Sequence, residues 1–427
     1  MRILMLSWEY PPRIVGGIAR HVEELSEALA ARGHDVHVVT ANHPDTLEHE
    51  CVRGVWIHRV KHVDFETPDF LSWVMQLNLG MMAYATALHA EKAFEVIHAH
   101  DWLVAHAGAG LKRGLAVPML ATVHATEAGR NQGHIAGSFS GYVNQMEWWL
   151  CFEAWRVIVC SRHMYDEVQR CFGVPVDKLD IIPNGVDASK FAPSMTVDEA
   201  RQFRRHLAAD NQKIVFFVGR MVAEKGAQIL LEAIPKVLPQ FPTVRFVIAG
   251  KGGFLAELKH RAQVLGVTPY VNFTGFVSDA DLHRIYQIAD VATFPSLYEP
   301  FGIVALEGMA AGLPTVVSDV GGLGEIVEHT VSGVTTYAGN PDSLAWGLLE
   351  VLKNPDYAKH LARNGRQRVE TIFNWARIAQ ATEGVYCRIV KPETKSEEQE
   401  AKAERAGDHR DTSLDAPAIS QQSTAKR

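Results

Sequence analysis

Ile214-Val215-Phe216-Phe217-Val218-Gly219-Arg220-Met221-Val222-Ala223-Glu224-Lys225-Gly226 sets a short apolar run against a polar turn, and the helical pattern of Gly226–Leu238 follows at once. A continuous β-branched and aromatic run of this length reads as a strand buried on both faces, as in a parallel sheet covered by helices. Strand, turn and helix therefore form one crossover unit. The same alternation continues through strands at Val244–Gly250, Val271–Thr274, Val291–Pro295 and Thr315–Ser318, with helices near Phe254–Val264, Ala280–Ile288 and Gly302–Ala311. On the amino-terminal side it appears as strands at Ile3–Ser7, Val36–Thr40, Val55–Arg59, Val96–His98, Pro118–Val123, Val157–Cys160 and Asp180–Ile182, with helices at Ile18–Arg32, Leu71–Lys92 and Leu103–Arg113. The chain is predicted to be α/β, with two consecutive parallel-sheet domains. Asn184-Gly185-Val186-Asp187 and Phe191-Ala192-Pro193 read as a turn and a linker, which puts the boundary near 184–212.

A length of 427 residues suits two domains better than one, and 47% hydrophobic with 21% charged residues suits a core-forming chain. The 42 basic residues against 49 acidic ones give a net charge of −7, so no global basic field recommends nucleic acid as a partner. Cys51, Cys151, Cys160, Cys171 and Cys387 are odd in number and lack CxxC spacing, which fits structural thiols in a reducing compartment. The first residues read directly as a strand, without a signal-peptide pattern, and no apolar run approaches the roughly 20 residues that span a bilayer. A cytoplasmic location is expected, with peripheral membrane contact left open. From Lys391 to Arg427 the sequence mixes both charges and offers only Leu414 and Ile419 as large aliphatic residues, so a disordered charged tail is expected over 391–427.

Several strand ends carry chemistry. Arg220 presents a forked guanidinium and Lys225 a compact ammonium, a pair able to offset the charge of a departing phosphate ester. Gly16 and Gly17 stand between the first strand and a helix, where backbone amides approach phosphate or sugar oxygens, although neither GxGxxG nor GxxxxGK[ST] is present. In Tyr298-Glu299-Pro300-Phe301-Gly302-Ile303-Val304-Ala305-Leu306-Glu307, Pro300 and Gly302 place Glu299 in a loop and Glu307 on the helix after it. Glu299 suits sugar hydroxyls, Glu307 ribose hydroxyls, and the amides of Phe301 and Gly302 a sugar or phosphate. His124, after Pro118–Val123, and Asp101, in His98-Ala99-His100-Asp101-Trp102, are further polar strand ends. Trp102 is read as core, and Trp148 and Trp149 as helix packing. His98, His100, Asp101 and His124 are suitable metal donors in type, but alternate strand positions point to opposite faces and no HExxH occurs, so no metal is assigned. Asp279-Ala280-Asp281 is read as helix capping.

Taken together, Trp8-Glu9-Tyr10-Pro11-Pro12, Gly16-Gly17, His98-Ala99-His100-Asp101-Trp102, His124, Pro183-Asn184-Gly185-Val186-Asp187, Gly219-Arg220 with Lys225, and Glu299 to Glu307 resemble the family 4 retaining glycosyltransferases. The resemblance covers about residues 1–390 and is nearest to glycogen-synthase-like enzymes; Thr126-Glu127-Ala128-Gly129-Arg130 is similar to mycobacterial-type α-glucosyltransferases. It implies a GT-B architecture: an N-terminal Rossmann-like acceptor-side domain over 1–190, a C-terminal Rossmann-like nucleotide-sugar domain over 191–372, and a closing helix over 373–390 packing back toward the first. It also implies the roles. His124, Arg220, Lys225 and Glu299 would be catalytic; Gly16, Gly17, Phe301, Gly302 and Glu307 would bind the donor; Asp101 would shape a sugar or acceptor pocket.

The implied reaction moves glucose from a nucleoside diphosphate glucose to an acceptor hydroxyl with retention, the acceptor being an α-glucan or related glycoside. No cofactor and no metal are expected. A GT-B phosphorylase, a nucleotide-sugar epimerase and a noncatalytic nucleotide-sugar sensor are the alternatives. The donor base, the linkage and the oligomeric state stay open, and no coiled-coil repeat is present.

Overall fold

The computed structural model describes residues 1–61 and 67–390; the charged tail expected over 391–427 lies outside the described residues. The first sheet has eight strands: β1 (Arg2–Leu6), β2 (Asp35–Ala41), β3 (His49–Val52), β4 (Val55–Val60), β5 (Val96–His100), β6 (Met119–Val123), β7 (Arg156–Val159) and β8 (Leu179–Ile181). They lie in the order β3-β4-β2-β1-β5-β6-β7-β8, and only the β3–β4 pair is antiparallel. The second sheet holds β9 (Lys213–Val218), β10 (Val244–Ala249), β11 (Val271–Gly275), β12 (Val291–Phe294), β13 (Thr315–Ser318) and β14 (Val334–Thr336). Its order is β11-β10-β9-β12-β13-β14, all parallel.

The continuous apolar runs are buried as their patterning requires. Ile3 to Leu6, Val215 to Phe217 and Phe246 to Ala249 are sealed between helices on both sheet faces. The predicted strands form at their expected places, and β3 and β14 are additional. In each sheet the order reverses once at the centre, between β1 and β5 and between β9 and β12. At such a reversal neighbouring crossovers leave in opposite directions, and a crevice opens beyond the strands' carboxyl ends.

The helix Trp375–Val390 lies against the helix Gly17–Ala31, burying Trp375, Ile378, Val385, Tyr386 and Ile389 in one cluster with Ile3, Val22 and Leu25. Polar contacts fix its register. Tyr386 OH meets His98 Nδ1 at 2.8 Å, Trp375 Nε1 donates to Glu24, and Arg32 pairs with Glu383. Among the described residues no helix is long and apolar enough to cross a membrane. All five cysteines are free thiols.

Candidate active site

The two central crevices face each other, and the predicted residues gather there. Gly219 and Arg220 follow β9, and the loop holding Glu299 follows β12, so they flank the reversal of the second sheet. Lys225 Nζ donates to Glu299 Oε2 at 2.7 Å, and Ser296 Oγ donates to the same oxygen at 3.2 Å. Glu299 is buried, while Lys225 stays partly exposed. Arg220 is half-exposed and makes a single 3.3 Å contact with Glu224, which leaves most of its fork unengaged within the protein.

Two glycines make this geometry possible. Gly226 has φ +74°, and a Cβ there would fall 1.8 Å from the carbonyl oxygen of Pro295, so Lys225 reaches Glu299 only because residue 226 has no side chain. Gly302 (φ +112°) opens the helix Ile303–Ala310, and a Cβ on it would run into Leu323. That helix carries Glu307, as the Pro-Gly pattern anticipated. Phe301 is buried with its ring 6.1 Å from Phe373, so its backbone rather than its ring is left for a ligand.

On the opposing side the glycine turn precedes the helix Gly17–Ala31. The amides of Val15 and Gly16 donate to buried Glu9 Oε2 at 2.6 and 3.1 Å, so the loop is tied down by an internal carboxylate. Burial pushes the Glu9 carboxyl above its ordinary range, against the pull of these amides. Gly17 faces the second domain, where a Cβ would meet Ile303 at 3.1 Å. His124, just past β6, is partly exposed; its Nε2 lies 3.3 Å from His100 Nδ1, and the His21 ring packs edge-on at 4.8 Å. Burial, then the neighbouring His21, pushes its pKa well below the usual histidine value, which favours the neutral imidazole. Asp101 sits at φ +68° with one oxygen on its own Trp102 amide at 3.1 Å and the other 3.9 Å from Arg130. Burial raises its pKa, and Arg130 opposes that rise.

The domains are joined across the crevice by pairings that sequence reading does not show. Arg20 Nη1 reaches Glu307 Oε1 at 2.8 Å and Nη2 reaches Asp279 at 2.6 Å. Tyr298 OH donates to Glu167 at 2.9 Å, Thr126 Oγ1 donates to the same carboxylate at 2.6 Å, and Ser161 Oγ donates to the Pro300 carbonyl at 2.7 Å. Glu325 accepts the first amides of the helix Arg162–Phe172 at 2.8 and 2.9 Å. The only hint of Arg20 in the sequence is its place one helical turn beyond Gly16-Gly17.

Two expectations need correction. The N-cap of the helix Asp279–Ile288 is Ser278, whose oxygen accepts from the Asp281 amide and whose hydroxyl donates to Asp281 Oδ2 at 3.2 Å, so Asp281 takes part in the cap while Asp279 is engaged by Arg20. Trp149 packs inward as expected, but Trp148 is exposed and stacks on Phe152 at 5.4 Å, because the helix Gly137–Glu153 is apolar on both faces. Trp102 is core.

Two family models match the chain: Glycosyltransferase Family 4 over residues 15–190 and Glycosyl transferases group 1 over residues 198–368. An uncharacterized glycosyltransferase of Methanocaldococcus jannaschii is 40% identical over 90% of this chain and 98% of its own length. The chain belongs to the family 4 glycosyltransferases. A glycogen synthase of Mycobacterium tuberculosis is 38% identical over 90% of this chain and 94% of its own. Among solved structures, sucrose-phosphate synthase from Thermosynechococcus elongatus superimposes with a TM-score of 0.77 at 27% identity, covering 91% of this chain and 98% of its own. The two facing parallel-sheet domains are thus the GT-B architecture.

Proposed function

We propose that this glycosyltransferase moves glucose from a nucleoside diphosphate glucose to an acceptor hydroxyl with retention at the anomeric carbon, the acceptor being an α-glucan or related glycoside. The observation that carries the reading is the Lys225–Glu299 contact of 2.7 Å beside the half-exposed Arg220, at the central crevice of the second sheet. It sets two cations next to a buried carboxylate. Arg220 and Lys225 would take the diphosphate and stabilise the charge that grows as the glycosidic oxygen departs. Glu299 would accept from glucose hydroxyls, while Glu307 takes the ribose hydroxyls and the Phe301 and Gly302 amides meet the donor.

From the facing domain, neutral His124 would hydrogen-bond the sugar, Gly16 and Gly17 would lie along the donor, and Asp101 would border the acceptor. Attack on the same face that the leaving group vacates, assisted by the diphosphate oxygen, gives retention without a protein nucleophile. The leaving-group charge is met by Arg220 and Lys225, so the scheme calls on no metal. The interdomain bonds through Arg20, Ser161 and Tyr298 would hold acceptor and donor together and keep water away.

The test is a donor-by-acceptor screen with purified protein, reading nucleoside diphosphate release and the mass and anomeric configuration of the product. An acceptor lengthened by an α-linked hexose is expected. Phosphate-dependent cleavage, interconversion of the nucleotide sugar without transfer, or binding without turnover would each reject the reading.

A further inference from the structure

The fold assembles a histidine cluster that sequence spacing does not reveal. His21, from the helix Gly17–Ala31, joins His100 at the end of β5 and His124 beyond β6, and one ring nitrogen of each lies within 4.8 Å of the other two. His100 Nδ1 and His124 Nε2 share a hydrogen bond at 3.3 Å, so an ion bound between them displaces the proton that one of them carries. Two nitrogens bound to one tetrahedral zinc at about 2.0–2.1 Å stand about 3.3 Å from each other, so this pair already has the edge of such a site. Asn184 Oδ1 accepts from His21 Nδ1 at 2.8 Å, which fixes the tautomer that leaves a lone pair on Nε2. His21 Nε2 is buried with no hydrogen-bond partner, and His100 Nε2, likewise unpartnered, is the nitrogen that holds the proton when His100 binds through Nδ1. His98 lies alongside but is not a donor, since Tyr386 OH at 2.8 Å and Thr122 Oγ1 at 2.7 Å engage both its nitrogens.

We infer that His21, His100 and His124 form a binding site for a borderline divalent transition ion such as Zn²⁺, Co²⁺ or Ni²⁺, and that occupancy inhibits transfer. Three neutral imidazoles with no carboxylate select these ions over Mg²⁺ and Ca²⁺, which demand oxygen ligands. His124 is partly exposed toward the crevice, so an ion enters from there and keeps a water in its fourth position. His21 moves in toward the pair to complete the coordination. The inhibitory consequence rests on the proposed role of His124: the metal takes the nitrogen that would otherwise bind the donor sugar.

Co²⁺ is titrated into the tag-free full chain, followed by visible absorption and equilibrium dialysis. The expected result is a single tight equivalent with the strong bands of four-coordinate cobalt, displaced by Zn²⁺. His21→Gln and His100→Gln each weaken binding by about tenfold or more, with far-UV dichroism checking that each variant is folded. His58→Gln, at a separate histidine pair, leaves binding unchanged. Absence of saturable binding at micromolar metal, or binding indifferent to both His21→Gln and His100→Gln, overturns the site. A nucleoside diphosphate glucose added to the cobalt complex separates the two readings. Loss of the bands supports competition at His124. Retention of the bands with the donor bound leaves the metal site standing, overturns the inhibition and removes His124 from the donor contacts.

Discussion

Lys225 serves two electrostatic needs at one place: it neutralises buried Glu299 now and would neutralise the leaving diphosphate during transfer. A substitution should therefore cost more than its own charge, because the carboxylate left behind would repel the donor. Lys225→Met is expected to lower kcat/KM by about 10²–10³-fold, the range for loss of one charge-stabilising donor, and to lower the thermal midpoint as well, because buried Glu299 loses its cation. Steady-state kinetics on the nucleotide sugar checks this, and full activity in a folded Lys225→Met protein would remove it from catalysis. Lys225 and Glu299 were both readable from local pattern, since each ends a buried strand in a polar turn. Their 2.7 Å contact was not, because the partners are 74 positions apart and meet only through β9 and β12 being neighbours. His21 was unreadable for a similar reason. On a helix of ordinary amphipathic pattern, one histidine looks like any other polar position until the strands beneath it are placed.

Among the elements, the turn before the helix Ala227–Val237 is the least tolerant. Gly226→Ala brings a Cβ against the Pro295 carbonyl at 1.8 Å and forces a side chain into positive φ. A loss of about 2 kcal/mol or more in unfolding free energy is expected, read from urea midpoints. The Trp375–Val390 helix is fixed differently, by apolar burial and by polar contacts that include one buried hydroxyl. Tyr386→Phe keeps the ring but strands His98 Nδ1, at a cost of about 1–3 kcal/mol, which the same measurement detects. Strands and helices with a clean period were legible, because a buried parallel strand has few sequence alternatives. Of the helices Gly137–Glu153, Arg162–Phe172 and Val197–Arg205, the first is expected only through the reading of Trp148 and Trp149 as helix packing, and the other two are not expected at all. The first exposes Phe139, Trp148 and Phe152 while burying Val143, Met146 and Leu150, so its apolar residues mark no single face. The edge strand β3 is His49-Glu50-Cys51-Val52, too short and too exposed to show alternation.

For the molecule as a whole, the buried histidines set an acid limit. Burial lowers the pKa of His21 to about 4 from 6.5, and His98, His100 and His124 are displaced in the same direction. Between those two values the unfolded chain takes up protons that the folded chain refuses, so stability falls as pH drops from 6.5 toward 4. His21 alone accounts for about 3 kcal/mol of that loss. Urea unfolding of the parent and of His21→Gln at pH 7 and pH 4.5 should show a smaller acid loss in the variant. Apolar packing and the Trp375–Val390 helix join the domains, and polar bonds cross the crevice as well, with Arg20 spanning Glu307 and Asp279 on one side and Tyr298 meeting Glu167 on the other. Arg20→Met combined with Tyr298→Phe should open the crevice, seen as a larger radius of gyration in X-ray solution scattering.

The sequence alone determined the parallel α/β architecture, the two-part division and the strand ends that carry charge, because each follows from a local period or from residue types within one turn. The tertiary structure decided which of those residues meet. The Arg20 to Glu307 ion pair joins positions 287 apart, and the His21, His100 and His124 cluster draws on one helix, one strand and the loop after another strand. Such pairings depend on the rigid placement of whole elements by crossovers and core packing, and local sequence preference carries no record of that distance.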